Sequence, residues 1–395
     1  MIHAAGRVCL VLALLAGGVH AAIAGTVDFE RAEIERILQH GPWPPEYAGD
    51  ASNRVSGNPA AIALGQVLFF DPRLSPTGSI ACVACHDPAR AWTDGQPRSA
   101  GIEKLDRNAP TLLDVRFNRW FAWDGGSDSL WGHSLRPLLD AREMAATPAH
   151  VARLLREDGD LACRYRASFG RTAQSVADDE TLLVDAAKAL AAFQETLVSS
   201  PTAFDRFRDH LAGGRDAASS DYPDDARRGL KIFIGKGNCA LCHFGAGFTN
   251  GEFADTGIPF FVAPGRVDPG RHGGIRRLKE SRFTLLGRYN DNPGKADGWA
   301  TRHVALEHRN WGEFKVPTLR SLAYTAPYMH NGSLGDLAAV VRHYSELDEN
   351  RLHADGEQIL KPLHLSEGEI ADLVAFLKTL SAPPPAPPLP PAACR

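Results

Sequence analysis

The sequence predicts an all-α protein built as two helical domains. Three observations carry this. Apolar residues recur at helical spacing in several segments, and no strand pattern of comparable strength appears. The order helix, loop, C-x-x-C-H occurs twice, with the motifs 157 residues apart. Between the copies lies Gly213 to Pro223, rich in Gly, Ala, Ser and Asp, as a domain boundary would be. A length of 395 residues suits two domains at about 100–200 residues each.

The chain opens with a weakly basic start (His3, Arg7), an apolar run from Val8 to Leu15, and the small-x-small pattern Ala22-Ile23-Ala24. This is the pattern of an export signal cleaved near Ala24. The competing reading is a membrane anchor, but the run is too short to span a bilayer and Gly17-Gly18 follows it. No other segment approaches a span, so the mature chain is expected in the periplasm without a membrane span. Pro59 to Phe70 has helical periodicity and stops at Asp71-Pro72. A loop-rich stretch runs from Ser75 to about Ser127. Thr147-Pro148 supplies an N-cap and first-turn proline for a helix to about Asp158. Asp179 to Ser199 is helical, with Leu182, Leu183, Ala186, Ala189, Leu190 and Phe193 along one side. Pro223 to Gly235 opens the second half as a helix, and a second loop-rich stretch covers Gly245 to about Asn310. Its basic cluster, Arg271 to Lys279, is expected to be a solvated loop. Ser333 to Tyr344 is helical. Ser366 and Glu369 form a capping box for a last helix to about Leu380. The Pro-rich tail from Ser381 is expected to be disordered or extended. The resulting division is signal 1–24, first domain 25–215, second domain 216–380 and tail 381–395.

A formal charge of −4 gives no electrostatic footprint for nucleic acid. Apolar residues at 44% supply too much core for a disordered chain, and seven cysteines are too few for a disulfide scaffold of this length. Two pairs of cysteines have an obvious purpose. Cys82-Val83-Ala84-Cys85-His86 and Cys239-Ala240-Leu241-Cys242-His243 each match the attachment motif of c-type haem. Two thiols bond the haem vinyl groups, and the adjacent His86 or His243 sits under the iron as proximal ligand. A redox dithiol or half a zinc site competes for a single copy. Two copies in an exported chain, each with His and a matching upstream helix, favour two covalent haems. Cys163 and Cys394 have no motif; a buried thiol, a tail thiol and a bond between them all remain open. Once Met1 leaves with the signal, the methionines able to serve as second axial ligands are Met144 and Met329. No His lies between His86 and His133, so the first haem can keep an open coordination position.

At these residues the chain resembles the bacterial di-haem cytochrome c peroxidase family, and within it the MauG-like branch. The marks are Leu64-Gly65-x-x-Leu68-Phe69-Phe70-Asp71, Arg107-Asn108-x-Pro110-Thr111, Trp123-Asp124-Gly125 and Glu143-Met144. Two more follow: Phe314-Lys315-Val316-Pro317-Thr318-Leu319-Arg320 and Thr325-Ala326-Pro327-Tyr328-Met329-His330-Asn331-Gly332. The resemblance spans about Asn58 to Leu380. It implies two cytochrome c-like domains with a haem in each and a calcium ion between them. By the same resemblance, the first haem meets hydrogen peroxide. Glu143 is then the distal acid that moves a proton between the peroxide oxygens, which is general acid–base work. Pro137 matches a distal-pocket proline. His133 stands where many members have Gln, which leaves it a hydrogen bond to peroxide, a proton shuttle or a place on the iron. Trp123 matches the tryptophan between the haems, whereas Trp43, Trp92, Trp120, Trp131, Trp299 and Trp311 are expected to pack in cores. Asn108, Thr325 and Pro327 match oxygen ligands of calcium.

Tyr344, fourteen residues after His330, falls where ordinary peroxidases of the family carry Met and MauG-like members carry Tyr. A phenolate favours oxidised iron, so the second haem's potential should fall. His343 and Met329 remain competitors for that position. The expected activity is a reaction with hydrogen peroxide, with electrons drawn from a small redox protein or from side chains of a partner protein. The alternative is a two-haem electron-transfer protein without peroxide chemistry.

Overall fold

The computed structural model describes residues 27–258, 261–348 and 359–394. The export signal expected at 1–24 lies outside the described residues. The helices are α1 (Arg31–Leu38), α2 (Pro59–Phe70), α3 (Leu130–Leu139), α4 (Pro148–Glu157), α5 (Gly159–Phe169) and α6 (Asp179–Gln194). They continue as α7 (Ala203–Ala212), α8 (Asp224–Ile234), α9 (Gly270–Glu280), α10 (Trp299–His303), α11 (Leu337–Ser345) and α12 (Glu367–Lys378). Sheet is slight. Strand β1 (Phe253–Ala254) pairs antiparallel with β4 (Phe314–Lys315), and β2 (Phe261–Ala263) with β3 (Arg266–Val267).

Local chemistry sets the helix ends. Asn58 caps α2 by accepting from the Ala60 and Ala61 amides, and Pro59 takes the first position, where its missing N–H costs nothing. Thr147 caps α4, and the Ser366–Glu369 capping box forms at α12. The sequence extends α6 to Ser199, but the helix stops at Gln194, and the chain then runs irregularly to place Ser199 against Asp114.

Two large apolar cores form among the described residues. The first gathers Leu64, Leu68 and Phe69 of α2, Trp131 and Leu135 of α3, and Leu190 and Phe193 of α6 around Trp92. The second gathers Leu230 and Phe233 of α8, Val341 of α11, and Leu373 and Phe376 of α12 around Phe248. Each core is organised by one close helix crossing that a glycine permits. A Cβ on Gly65 would lie 1.9 Å from the Ala189 carbonyl oxygen of α6. One on Gly229 would lie 2.0 Å from the Asp372 carbonyl oxygen of α12. The second core also takes Ile37 of α1 and Phe204, Phe207 and Leu211 of α7, elements that precede the Gly213–Pro223 stretch.

Two loop expectations need correction. The basic cluster Arg271 to Lys279 is helix α9. Arg271 is 4% exposed, lies over the rings of Phe253 and Trp120, and donates to the Gly125 carbonyl at 2.8 Å. Its guanidinium is stabilised by ring faces and carbonyls rather than by water. The Pro-rich tail is extended but docked. Gln66 donates to the Leu389 carbonyl at 2.7 Å, Arg164 to the Ala392 carbonyl at 2.6 Å, and the Cys394 amide to Asp160 at 2.6 Å. Cys163 of α5 and Cys394 form a disulfide, which settles the open question about these two thiols.

Candidate two-haem site

Each C-x-x-C-H motif closes a 3₁₀ turn on itself. The His86 amide donates to the Cys82 carbonyl at 3.1 Å, and the His243 amide to the Cys239 carbonyl at 2.9 Å. Each imidazole is then fixed by its Nδ1, 3.1 Å from the Trp92 carbonyl for His86 and 2.9 Å from the Phe248 carbonyl for His243. With Nδ1 as donor, Nε2 carries the lone pair and faces away, which is the tautomer a metal-binding histidine needs. Burial lowers the pKa of both rings, that of His243 to about 4, so both are neutral near pH 7. Cys82, Cys85, Cys239 and Cys242 are free thiols, none paired in a disulfide. Burial pushes Cys82, Cys85 and Cys239 up to about 12. Among the described residues, no group of three His, Cys, Asp or Glu is arranged to hold a metal ion.

The repeat extends beyond the motifs. Thr111 donates to the Ala91 carbonyl at 2.6 Å, and Thr318 to the Gly247 carbonyl at 2.7 Å. From Pro110 and Pro317 onward the correspondence holds at a constant 207 residues. Asp114 and Ser321 both have φ of 65°, Ala122 and Met329 have 64° and 71°, and Gly125 and Gly332 have 60° and 62°. The bridge between Phe121 and Ser127 matches that between Tyr328 and Leu334. Ser129 caps α3 as Asp336 caps α11, each accepting from the amide three residues on. Under this register Trp123 corresponds to His330, His133 to Val340, and Pro137 to Tyr344. The two halves therefore present different residues at the same places.

In the first half the residues expected on the distal side lie within electrostatic reach of the motif. His133 on α3 stacks on Phe121, with ring centroids 6.1 Å apart. Its Nδ1 is fully covered and has no hydrogen-bond partner. Burial, with Arg136, His86 and Lys315 nearby, pushes the ring down to about 3. Glu143 follows α3 in a turn held by its amide to the Asp140 carbonyl at 3.0 Å. Burial raises its carboxyl, and the same carboxyl acts electrostatically on Cys82 and Cys85. Pro137 lies inside α3, and its carbonyl accepts from the Met144 amide at 3.1 Å. In the second half, Tyr344 is half-buried on α11. Its neighbour His343 is committed elsewhere, with Nε2 2.8 Å from the Thr256 carbonyl.

Between the halves, Trp123 donates from Nε1 to the Asn108 carbonyl at 2.9 Å, and its own carbonyl accepts from the Lys315 amide at 2.7 Å. The Asn108 amide donates to the His330 carbonyl at 2.9 Å, which joins Asn108 to the loop holding Thr325 and Pro327. Asn108 Nδ2 donates to the Gln96 carbonyl at 2.7 Å. Asp124 is fully buried beneath Trp123 in the chain and pairs with Arg107 and Arg277, with Arg136 3.7 Å away. Burial alone would raise its carboxyl, but these guanidiniums hold it well below the usual range. Of the tryptophans expected in cores, Trp43, Trp92, Trp120 and Trp131 are buried there, but Trp299 is 65% exposed. Trp311 stacks on His272, with centroids 4.5 Å apart.

Sequence reasoning gave no role to Lys315, Arg136, Arg107 or His330, although three of them lie in the quoted motifs. His330 is 3% exposed, stacks on Phe314 at 3.5 Å and leaves Nε2 unpartnered. A lysine between two apolar residues, Phe314 and Val316, was the available signal.

Comparison with known proteins shows the family. A family model described as di-haem cytochrome c peroxidase matches residues 59–212. The methylamine utilization protein MauG of Methylorubrum extorquens is 33% identical over 385 residues, covering 95% of each chain. The cytochrome-c peroxidase IdrP2 of Denitromonas iodatirespirans is 36% identical over 344 residues, covering 83% of each. Among solved structures, a MauG-like protein associated with microbial copper homeostasis superposes with a TM-score of 0.64 at 27% identity, covering 86% of this chain and 95% of that one. The chain belongs to the di-haem cytochrome c peroxidase family that includes MauG. It is an oxidoreductase of that class.

Proposed function

We propose that the mature protein is a periplasmic enzyme with two unlike haems that reacts with hydrogen peroxide and draws its electrons from side chains of a partner protein. The first haem is held by Cys82, Cys85 and His86, and the second by Cys239, Cys242 and His243, each in its own cytochrome c-like domain. When bound, the haem irons supply the redox chemistry and the coordination position for peroxide. The observation that carries the reading is the register that sets Pro137 against Tyr344. A proline side chain has no donor atom, so the first half leaves the distal side open. A phenol at the same helical position in the second half offers an oxygen ligand. Saturated coordination on both sides would instead suit an electron carrier.

The chain's own groups divide the remaining work. Glu143 takes a proton from one peroxide oxygen and returns it to the other; its raised pKa favours the uptake. His133 is neutral and offers a hydrogen bond within the same enclosure. Trp123 lies between the halves and is tied to both through Asn108 and Lys315. A calcium ion held by Asn108 and the carbonyls of Thr325 and Pro327 would pin the same junction with hard oxygen donors. No helix among the described residues is long and apolar enough to cross a membrane.

The test is a low-temperature EPR spectrum of the fully oxidised protein and of Tyr344→Phe. Wild type should show one high-spin and one low-spin haem, and the substitution should change only the low-spin signal. An unchanged low-spin signal would assign the ligand to Met329 or His343. Two low-spin haems inert to peroxide would make the protein a carrier, or a peroxidase that awaits reduction and takes electrons from a small redox protein.

A further inference from the structure

The junction between the halves holds cationic groups that lack hydrogen-bond partners. Arg107, Arg136 and Arg277 lie around the buried carboxylates Asp124 and Asp268, and Lys315 lies near His133. Arg107 serves both carboxylates and Arg277 pairs with Asp124. Arg136 approaches Asp124 only to 3.7 Å, beyond hydrogen-bond reach. Arg136 Nη1 is buried without a hydrogen bond. The Lys315 ammonium has no polar partner among the described residues, and burial alone lowers its pKa, to about 8. His133 Nδ1, close enough to feel both, is a second covered and unpartnered atom. Leaving such groups unpaired in the interior costs several kcal/mol in general, so native chains rarely do it.

We propose that Lys315, supplied by the second half, binds a carboxylate of the first half's haem, with Arg136 and His133 Nδ1 completing the cradle. This rests on the reading that Cys82, Cys85 and His86 carry haem. A haem brings two propionates, acceptor-only groups that need cationic donors where water is excluded. The backbone is placed for this. The Lys315 amide is anchored to the Trp123 carbonyl, and β4 is anchored on β1, so the side chain is delivered from one half into the space of the other. Lys315 is thus a positioning residue. It does not touch peroxide; it orients the cofactor and places a positive charge near the first iron, which favours the reduced state.

The experiment is a spectroelectrochemical titration of the haem-loaded protein, with Lys315→Met and Lys315→Arg beside wild type. Lys315→Met should lower the ferrous-to-ferric ratio of the first haem about tenfold at fixed potential, a shift of about 59 mV for one electron. Lys315→Arg should restore most of it, and the second haem should move less in both. A first-haem potential that Lys315→Met leaves unchanged, or a shift confined to the second haem, overturns the proposal. Loss of the first haem in Lys315→Met but not in Lys315→Arg supports it. Loss in both makes Lys315 a packing residue and overturns it. Absence of haem from the wild-type protein would instead sink the functional reading.

Discussion

The difference between the two halves comes down to single residues at matched places. Glu143 is the one placed to move a proton in the proposed reaction. Its carboxyl is pushed up by burial and lies beside the first motif, so it is the natural acid–base group there. Glu143→Gln keeps the shape and removes the titration. The peroxide reaction of the oxidised protein should slow by about 10²–10⁴-fold, as expected for loss of a positioned acid–base group. Stopped-flow mixing with peroxide measures it; a rate within a factor of two of wild type would remove Glu143 from the proton path. The motif residues were legible because C-x-x-C-H is a covalent requirement with fixed spacing. His330 and Lys315 were not given roles, since their unpartnered state depends on residues far off in sequence.

At the scale of the element, α2 and α6 repeat what α8 and α12 do. Each pair crosses at a glycine where backbone meets backbone. Gly65→Ala places a methyl against the Ala189 carbonyl, and neither helix can yield without opening the first core. A destabilisation of roughly 1–3 kcal/mol is expected, typical of overpacking. Thermal melts of the loaded protein should show a lower Tm, with Gly229→Ala behaving alike; an unchanged Tm would mean the helices slide freely. Helices α2, α4 and α8 were visible in the sequence because caps and apolar stripes are local. Helix α9 was not. It carries Gly, Arg and Lys rather than an apolar stripe, and it is stabilised by Asp124, Trp120 and Phe253 from other segments. The same holds for the whole 245–310 stretch. It contains the 50 residues by which the second half exceeds the repeat, and it reaches back through Asp268 to Arg107, Asp291 to Lys188 and Arg282 to Glu180.

The whole molecule is therefore bound together twice, by that inserted segment and by the tail. The disulfide joins residues 231 positions apart and ties the end of the chain to α5 of the first half. Cys394→Ser should cost roughly 2–5 kcal/mol, the usual range for a native disulfide. A urea titration followed by tryptophan fluorescence should move to a lower midpoint, and Cys163→Ser should match it. Equal midpoints for wild type and both variants would make the tail a passive arm. Its Pro-rich composition gave no hint of docking, because its anchors are backbone carbonyls and one thiol rather than an apolar stripe.

Under the proposed reading, that disulfide also sets an order of events during maturation. If the chain is exported and loaded with haem as proposed, six of its cysteines reach the same compartment, and four must remain thiols until haem is attached. Cys163 emerges between the two haem motifs, after Cys82 and Cys85 and before Cys239 and Cys242, and its proper partner is the penultimate residue of the chain. During export, a premature oxidant meets Cys163 beside the wrong thiols. Correct closure has to wait until all four attachment cysteines have been presented, so haem delivery and disulfide formation compete in time, and the last residues of the chain decide when the second can finish.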